Sequence, residues 1–142
     1  MAEQISIFIE NKEGSLAEVT AILRDAGVNI RALSLADTTD FGVLRLIVND
    51  NDKATAALRN QGFTVGKTRV LAVEVNDEPG GLNQVLDPLS EQDVNVEYMY
   101  AFANPQCKNA IMIFRFDDIE KAKVILAKQG IKVIDKEEIS NL

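Results

Sequence analysis

The segment Asp77-Glu78-Pro79-Gly80-Gly81-Leu82 repeats the plan of Asn11-Lys12-Glu13-Gly14-Ser15-Leu16, at a displacement of 66 residues that carries Gly14 onto Gly80. Each hexapeptide sets an amide or an acid three residues ahead of a glycine and a leucine two residues after it. The correspondence runs outward from there. Leu16, Val19 and Leu23 fall on Leu82, Val85 and Leu89, and Val28-Asn29 falls on Val94-Asn95. Past a two-residue insertion, Asp50, Lys53-Ala54, Leu58, Gln61-Gly62 and Val65 fall on Asp118, Lys121-Ala122, Leu126, Gln129-Gly130 and Val133. So many matches in order identify an internal duplication. The expected units are residues 1–68 and 69–142.

Both repeats spell the same elements. The alternating runs Ile5-Ser6-Ile7-Phe8-Ile9 and Leu71-Ala72-Val73-Glu74-Val75 predict a first strand. After the loop, Leu16, Val19, Leu23 and Ala26 form a helical stripe, matched by Leu82, Val85, Leu86 and Leu89. Gly27 is a fitting stop for the first helix. Two hairpin-linked strands follow, at 28–36 with 43–49 and at 94–102 with 110–116. Their loops hold Asp37-Thr38-Thr39-Asp40 and Asn104-Pro105-Gln106. A second helix carries Ala54, Ala57 and Leu58, or Ala122, Ile125 and Leu126, and stops at Gly62 or Gly130. A last strand is expected near 63–68 and 131–137.

The order is βαββαβ, twice. It implies an α+β protein of two ferredoxin-like repeats packed side by side, each an antiparallel sheet with two helices on one face. Ile5, Ile7 and Ile9 should face the helices. No Pro/Gly-rich linker separates the halves, so they should be closely tied. Pairing through their second strands, into one continuous sheet, would cover an edge that each half otherwise exposes. Pro88 should kink or break the third helix near Asp87, because an interior proline costs about 3 kcal/mol through a lost hydrogen bond and a clash.

Composition narrows the function. The 142 residues are 46% hydrophobic and 26% charged, which excludes wholesale disorder. A formal charge of -7 argues against a phosphate-tracking nucleic-acid binder. Histidine is absent and Cys107 is the single cysteine, so internal disulfides, Cys/His zinc sites and histidine-based triads are excluded. Cys107 reads as an adventitious thiol. The start Met-Ala-Glu-Gln has no signal-peptide character, and no apolar stretch approaches the roughly 20 residues of a membrane span. A cytoplasmic protein is expected. The glycines fit neither a P-loop nor a dinucleotide fingerprint, and no cofactor or metal is expected. Carboxylates are plentiful, but none pairs with an evident nucleophile, so an enzyme is the weakest reading.

The fold hosts many functions, and the site must decide. Gly42-Val43-Leu44-Arg45-Leu46 lacks the strand aromatics of an RNA-recognition domain, and the first loop lacks the cysteine pair of a soft-metal chaperone. The glycine loops are more informative. Gly14 or Gly80 ahead of a helix lets backbone approach a ligand closely. The first-turn N–H groups, near Ser15-Leu16 or Gly81-Leu82, favour an anion such as an α-carboxylate. Asn11 or Asp77 can accept from an α-ammonium. Val28-Asn29-Ile30 and Val94-Asn95-Val96 offer an asparagine from the neighbouring repeat.

Each residue also has a plainer reading. Ser15 with Glu18 spells a capping box. Asn11, Asp77, Asn29 and Asn95 fit turns that bond their own backbone, and both glycines suit a turn whether or not anything binds. Tyr98, Tyr100 and Phe102 alternate on one strand face, either as core or as a face covered by a partner chain. With Phe8 they motivate a homodimer. Glu137-Glu138 reads as a solvated edge.

The two glycine loops and the two Val-Asn segments together resemble the ACT domain, over essentially the whole chain as two copies. Repeat 1 departs from the family pattern in having Glu13 where proline is usual; repeat 2 has Pro79. The resemblance implies a non-catalytic regulatory sensor that binds a free amino acid at a seam between repeats and acts on a separate enzyme or regulator. A ligand-free assembly module is the alternative. If one site is filled, loop 2 completed by Asn29 is favoured. There Gly81 leaves helix donors open, Pro79 stiffens the approach and Asp77 is charged, whereas loop 1 has Ser15 as a cap and Glu13 as a repelling charge.

Overall fold

Apolar residues at every second position lay down the strands that position the loops. In the computed structural model, which describes residues 1–37, 40–102 and 108–141, repeat 1 comprises β1 (Ala2–Glu10), α1 (Ser15–Asp25), β2 (Ile30–Asp37), β3 (Phe41–Val48) and α2 (Asn51–Asn60). β4 (Val65–Val75) ends repeat 1 and begins repeat 2. Then come α3 (Gly81–Glu91), β5 (Val96–Ala101), β6 (Ala110–Phe116), α4 (Ile119–Lys128), β7 (Val133–Ile134) and α5 (Lys136–Ser140). Thr38, Thr39 and residues 103–107, including Asn104-Pro105-Gln106 and Cys107, lie outside the described residues.

The strands form one curled antiparallel sheet in the order β2-β3-β1-β4-β6-β5, with β7 also on β4. β4 makes it continuous. Its first part pairs with β1, from Val65 opposite Ile7 to Val70 opposite Ala2. Its second part pairs with β6 from Leu71 and with β7 at Ala72 and Val73. The expected unit boundary at 68/69 therefore falls inside a strand. Among the described residues, β2 meets the end of β5 in one antiparallel bridge, between Ala32 and Phe102 just past β5, and β4 is the strand that both half-sheets share.

Alternation sorts the apolar side chains into three clusters. Ile5, Ile7 and Ile9 face Val19 and Leu23 of α1 and Leu58 of α2, as expected. Leu71, Val73 and Val75 face Val85, Leu89 and Ile125 in repeat 2. The third cluster lies where the helix-free faces of the two half-sheets meet, with Ala2, Ala32 and Ile47 against Tyr100, Phe102, Ile111 and Ile113. Tyr100 and Phe102 are thus covered by the chain's own first repeat, whereas Phe8 stays 53% exposed. Full burial of an aliphatic or aromatic side chain contributes about 1.5–3 kcal/mol, so this junction is a core and not a loose contact.

A polar latch spans the same junction. Gln4 on β1 is fully buried; its amide donates to the Tyr98 hydroxyl at 2.9 Å, and its Oε1 accepts from the Tyr100 hydroxyl at 2.7 Å. Arg45 of repeat 1 lies 3.8 Å over the Tyr98 ring. Burial raises the Tyr100 pKa above its ordinary value, with the neighbouring Tyr98 adding to the shift and Arg45 opposing it.

Two local expectations change. α3 runs unbroken through Pro88. The hydrogen bond that Pro88 cannot donate would have gone to the carbonyl of Gln84, an exposed residue that water can reach. The last strand is only Val133–Ile134, and α5 follows it. Asp135 caps α5 by accepting from the Glu138 N–H at 2.9 Å, and Ile139 buries into the junction cluster. Glu137 and Glu138 therefore sit in a helix first turn, where Glu138 pairs with Lys132 at 3.5 Å, and not along a strand edge.

Candidate functional site

Both glycine loops follow one backbone plan. Gly14 and Gly80 each cap their helix with φ 83, in the left-handed region that a residue without a Cβ enters freely. Each loop first folds back, Lys12 N–H onto the Glu10 carbonyl and Glu78 N–H onto the Asn76 carbonyl, both at 3.0 Å. The first helical residue then bonds into the loop, Ser15 to Lys12 at 3.4 Å and Gly81 to Glu78 at 3.0 Å. Neither helix start has a side-chain cap.

That corrects the expected capping box. Ser15 is the first helical residue and is buried, while Gly14 holds the cap position; from inside the helix its hydroxyl does not serve the first-turn donors. Both helices therefore leave first-turn N–H groups without a capping side chain, and Ser15 is no ground for preferring loop 2.

Other differences between the loops survive. Asn11 and Asp77 are both exposed, but Asn11 N–H extends the sheet by donating to Asp40 at 3.1 Å. Lys12 pairs with Glu10 at 3.0 Å, and that hydrogen-bonded carboxylate raises the lysine pKa above its ordinary 10.5. Asp77 instead shares a cleft of about 400 Å³ with Asn76, Glu78, Lys108 and Asn109, where charges of both signs are present. Leu16 packs against the first core, while its counterpart Leu82 is 36% exposed.

Asn29 and Asn95 are held by their backbones. Asn29 N–H donates to Asn49 Oδ1 at 2.9 Å and its carbonyl accepts from Asn49 N–H at 3.1 Å; Asn95 does the same with Asp117, at 2.9 and 3.2 Å. Their exposed side chains make no hydrogen bond among the described residues. Ile30 pairs with Val48, and Val96 with Phe116. Asn95 and Val96 line a groove of about 510 Å³ between α3 and β5, floored by Leu86, Leu89 and Met99. Asn29 lines none of the described clefts. The antiparallel Ala32–Phe102 bridge, however, runs the start of β2 toward the end of repeat 2 that holds loop 2.

Sequence reading did not single out a further group. Glu74, Gln84, Asn109, Gln129 and Lys132 line a cleft of about 300 Å³ with Gly81. They share no motif; β4, α3, the approach to β6 and the segment before β7 bring them together. The equivalent place in repeat 1 is a cleft of about 190 Å³ lined by Glu10, Lys12, Ser15, Glu18, Gln61 and Phe63. Among the described residues no cluster of ligating side chains could hold a metal, and no helix is long and apolar enough to cross a membrane.

Comparison with known proteins fits this architecture. A family model described as an ACT domain pair matches residues 1–142. The crystal structure of protein BT0572 from Bacteroides thetaiotaomicron is similar with a TM-score of 0.92 and 39% identity, over 99% of this chain and 96% of that one. The ligand-free regulatory subunit of aspartate kinase from Thermus thermophilus shares the fold, with a TM-score of 0.63, 15% identity and coverage of 90% and 92%. Among curated proteins none matches the chain.

Proposed function

The chain belongs to the ACT domain pair family, a regulatory and typically amino-acid-binding module, and on that premise we propose that it is a non-catalytic sensor for a free amino acid. The ligand sits at the seam between the repeats. Loop 2, Asp77 with Gly80, Gly81 and Leu82, holds the zwitterion, and Asn29 with Ile30 completes the site from repeat 1. The equivalent half-site would use Asn11, Gly14, Ser15 and Leu16 with Asn95 and Val96.

One observation carries this reading. Two helix starts with left-handed glycine caps and no capping side chain are kept in both copies of the duplication. Open first-turn N–H groups suit a carboxylate. Beside loop 2, Asp77 and Lys108 supply both charges that a zwitterion needs. Calorimetric titration with each of the twenty amino acids tests the reading; saturable heat with one or a few is expected, and none with all twenty rejects it. Any signal passes to a separate enzyme or regulator.

Self-association belongs to the same proposal. Phe8 and Phe41 are 53% and 56% exposed, at the end of the repeat 1 face that repeat 2 leaves uncovered. An apolar patch of this kind is expected to close in a homodimer. Light scattering should give twice the chain mass, and Phe8→Ser should shift it toward monomer.

A further inference from the structure

We propose that the cleft inside repeat 2, lined by Glu74, Asn76, Gln84, Asn109, Gln129 and Lys132, is a second ligand site, separate from the seam, for a small zwitterion with a hydrogen-bonding side chain. It opens just ahead of β7. The ladder between β4 and the segment before β7 ends where Glu74 N–H donates to the Lys132 carbonyl at 3.0 Å. Beyond that bond the two backbones part, and the cleft of about 300 Å³ opens between them, large enough for a free amino acid. The Asn76 N–H finds no acceptor among the described residues.

The charges stand in the right relation. Glu74 and Lys132 are opposed across the ladder, and opposed residues project on the same face with Cβ atoms about 5 Å apart. Glu74 presents an acceptor for an ammonium, and Lys132, whose Nζ lies 3.5 Å from a Glu138 carboxylate oxygen, keeps further N–H donors for a ligand carboxylate. The remaining lining is carboxamide. Asn109 steadies Glu74 by donating to its Oε1 at 3.2 Å, and Asn76 donates to Gln84 Oε1 at 3.2 Å. These two bonds leave Asn109 Oδ1 and Gln84 Nε2, an acceptor and a donor, for a ligand side chain.

The duplication sharpens the inference. Repeat 1 builds a cleft at the same place, but Phe8 stands for Glu74, Glu10 for Asn76 and Phe63 for Ile131. The fold supplies the concavity in both repeats; Glu10, Lys12, Glu18 and Gln61 line the repeat 1 cleft, but the facing pair of Glu74 and Lys132 has Phe8 and Thr64 in its place there.

The test titrates the full chain with L-glutamine, L-asparagine and L-serine, beside L-valine and L-leucine. Wild type should bind a polar member with one site per chain, and Glu74→Gln and Lys132→Gln should each weaken it at least tenfold. Glu74→Gln keeps the side-chain shape, and exposed Lys132 gives a variant that does not depend on packing. Affinity indifferent to both changes, or no binding of any polar member, overturns the cleft. The seam reading is judged separately. Loss in Asp77→Ala with indifference to the cleft variants keeps the seam and rejects the cleft; loss in the cleft variants with none in Asp77→Ala does the reverse.

Discussion

The two repeats hold one glycine in one conformation, φ 83 at both Gly14 and Gly80, and surround it with different chemistry. They also cap their second helices alike, Asp50 accepting from Lys53 N–H and Asp118 from Lys121 N–H, both at 3.1 Å. Around those shared anchors the surfaces differ. Loop 1 neutralises Lys12 with Glu10, while loop 2 keeps Asp77 beside Lys108. The helix-free face of repeat 2 is covered by repeat 1, which leaves its own Phe8 and Phe41 exposed. Backbone geometry and core volume tolerate little change, so both copies keep them. Side chains at the rim carry no such constraint and are free to specialise.

The comparison breaks most sharply at Gly81. A Cβ there would lie 1.9 Å from the Asn76 carbonyl oxygen, although Ser15 holds the equivalent place in repeat 1. Gly81→Ala should cost about 3 kcal/mol, near the upper end for overpacking against backbone. Ser15→Gly should cost less than about 1 kcal/mol. Urea unfolding of the pair measures both; equal losses would show that the loops share one backbone after all.

At the proposed seam, Asp77→Ala should weaken amino-acid binding by about 1.5–3 kcal/mol, the range for a charge-assisted hydrogen bond, and Asn11→Ala should do less. The structure withdraws the Ser15 cap from that argument, so the expected difference now rests on charge and on Pro79. Equal calorimetric losses would make the two loops functionally equivalent.

The latch between the repeats offers a third test. Tyr100→Phe removes the donor to buried Gln4 Oε1 and should cost about 1–3 kcal/mol. It should also change the alkaline limb of stability. The folded-state pKa of Tyr100 is raised, so its contribution is complete below the unfolded value of about 10 and is lost as pH rises beyond it. Chemical denaturation between pH 8 and 11 should fall less steeply in the variant.

The smallest effect is expected where α1 and α3 end. Gly27 has φ 70, and its counterpart Asp93 has φ 60, the one non-glycine residue with positive φ among those described. Asp93→Gly should stabilise by up to about 1 kcal/mol, since the relieved left-handed strain exceeds the entropy that glycine adds to the unfolded chain. Gly27→Asp should destabilise by a similar amount, and thermal unfolding of the two variants reads both.

Periodicity alone determined the element order, the helix-facing role of Ile5, Ile7 and Ile9, and the equivalence of the two glycine loops, because these rest on contacts close in sequence or on the strand repeat of two. Ser15 shows where local pattern misleads: it spells a capping box, but the left-handed Gly14 takes the cap and pushes Ser15 into the helix. Tertiary structure decided what long-range packing controls. β4 serves both half-sheets because no turn interrupts Val65–Val75, and the aromatics of β5 then close on Gln4 and Arg45 of repeat 1. The cleft of Glu74 and Lys132 opens ahead of β7, where the segment after α4 has not yet joined β4. Nor does any spacing in the chain announce that β7 ends at Ile134, since Asp135 and Ile139 draw the segment into α5 through a cap and a core that come together only in the folded protein.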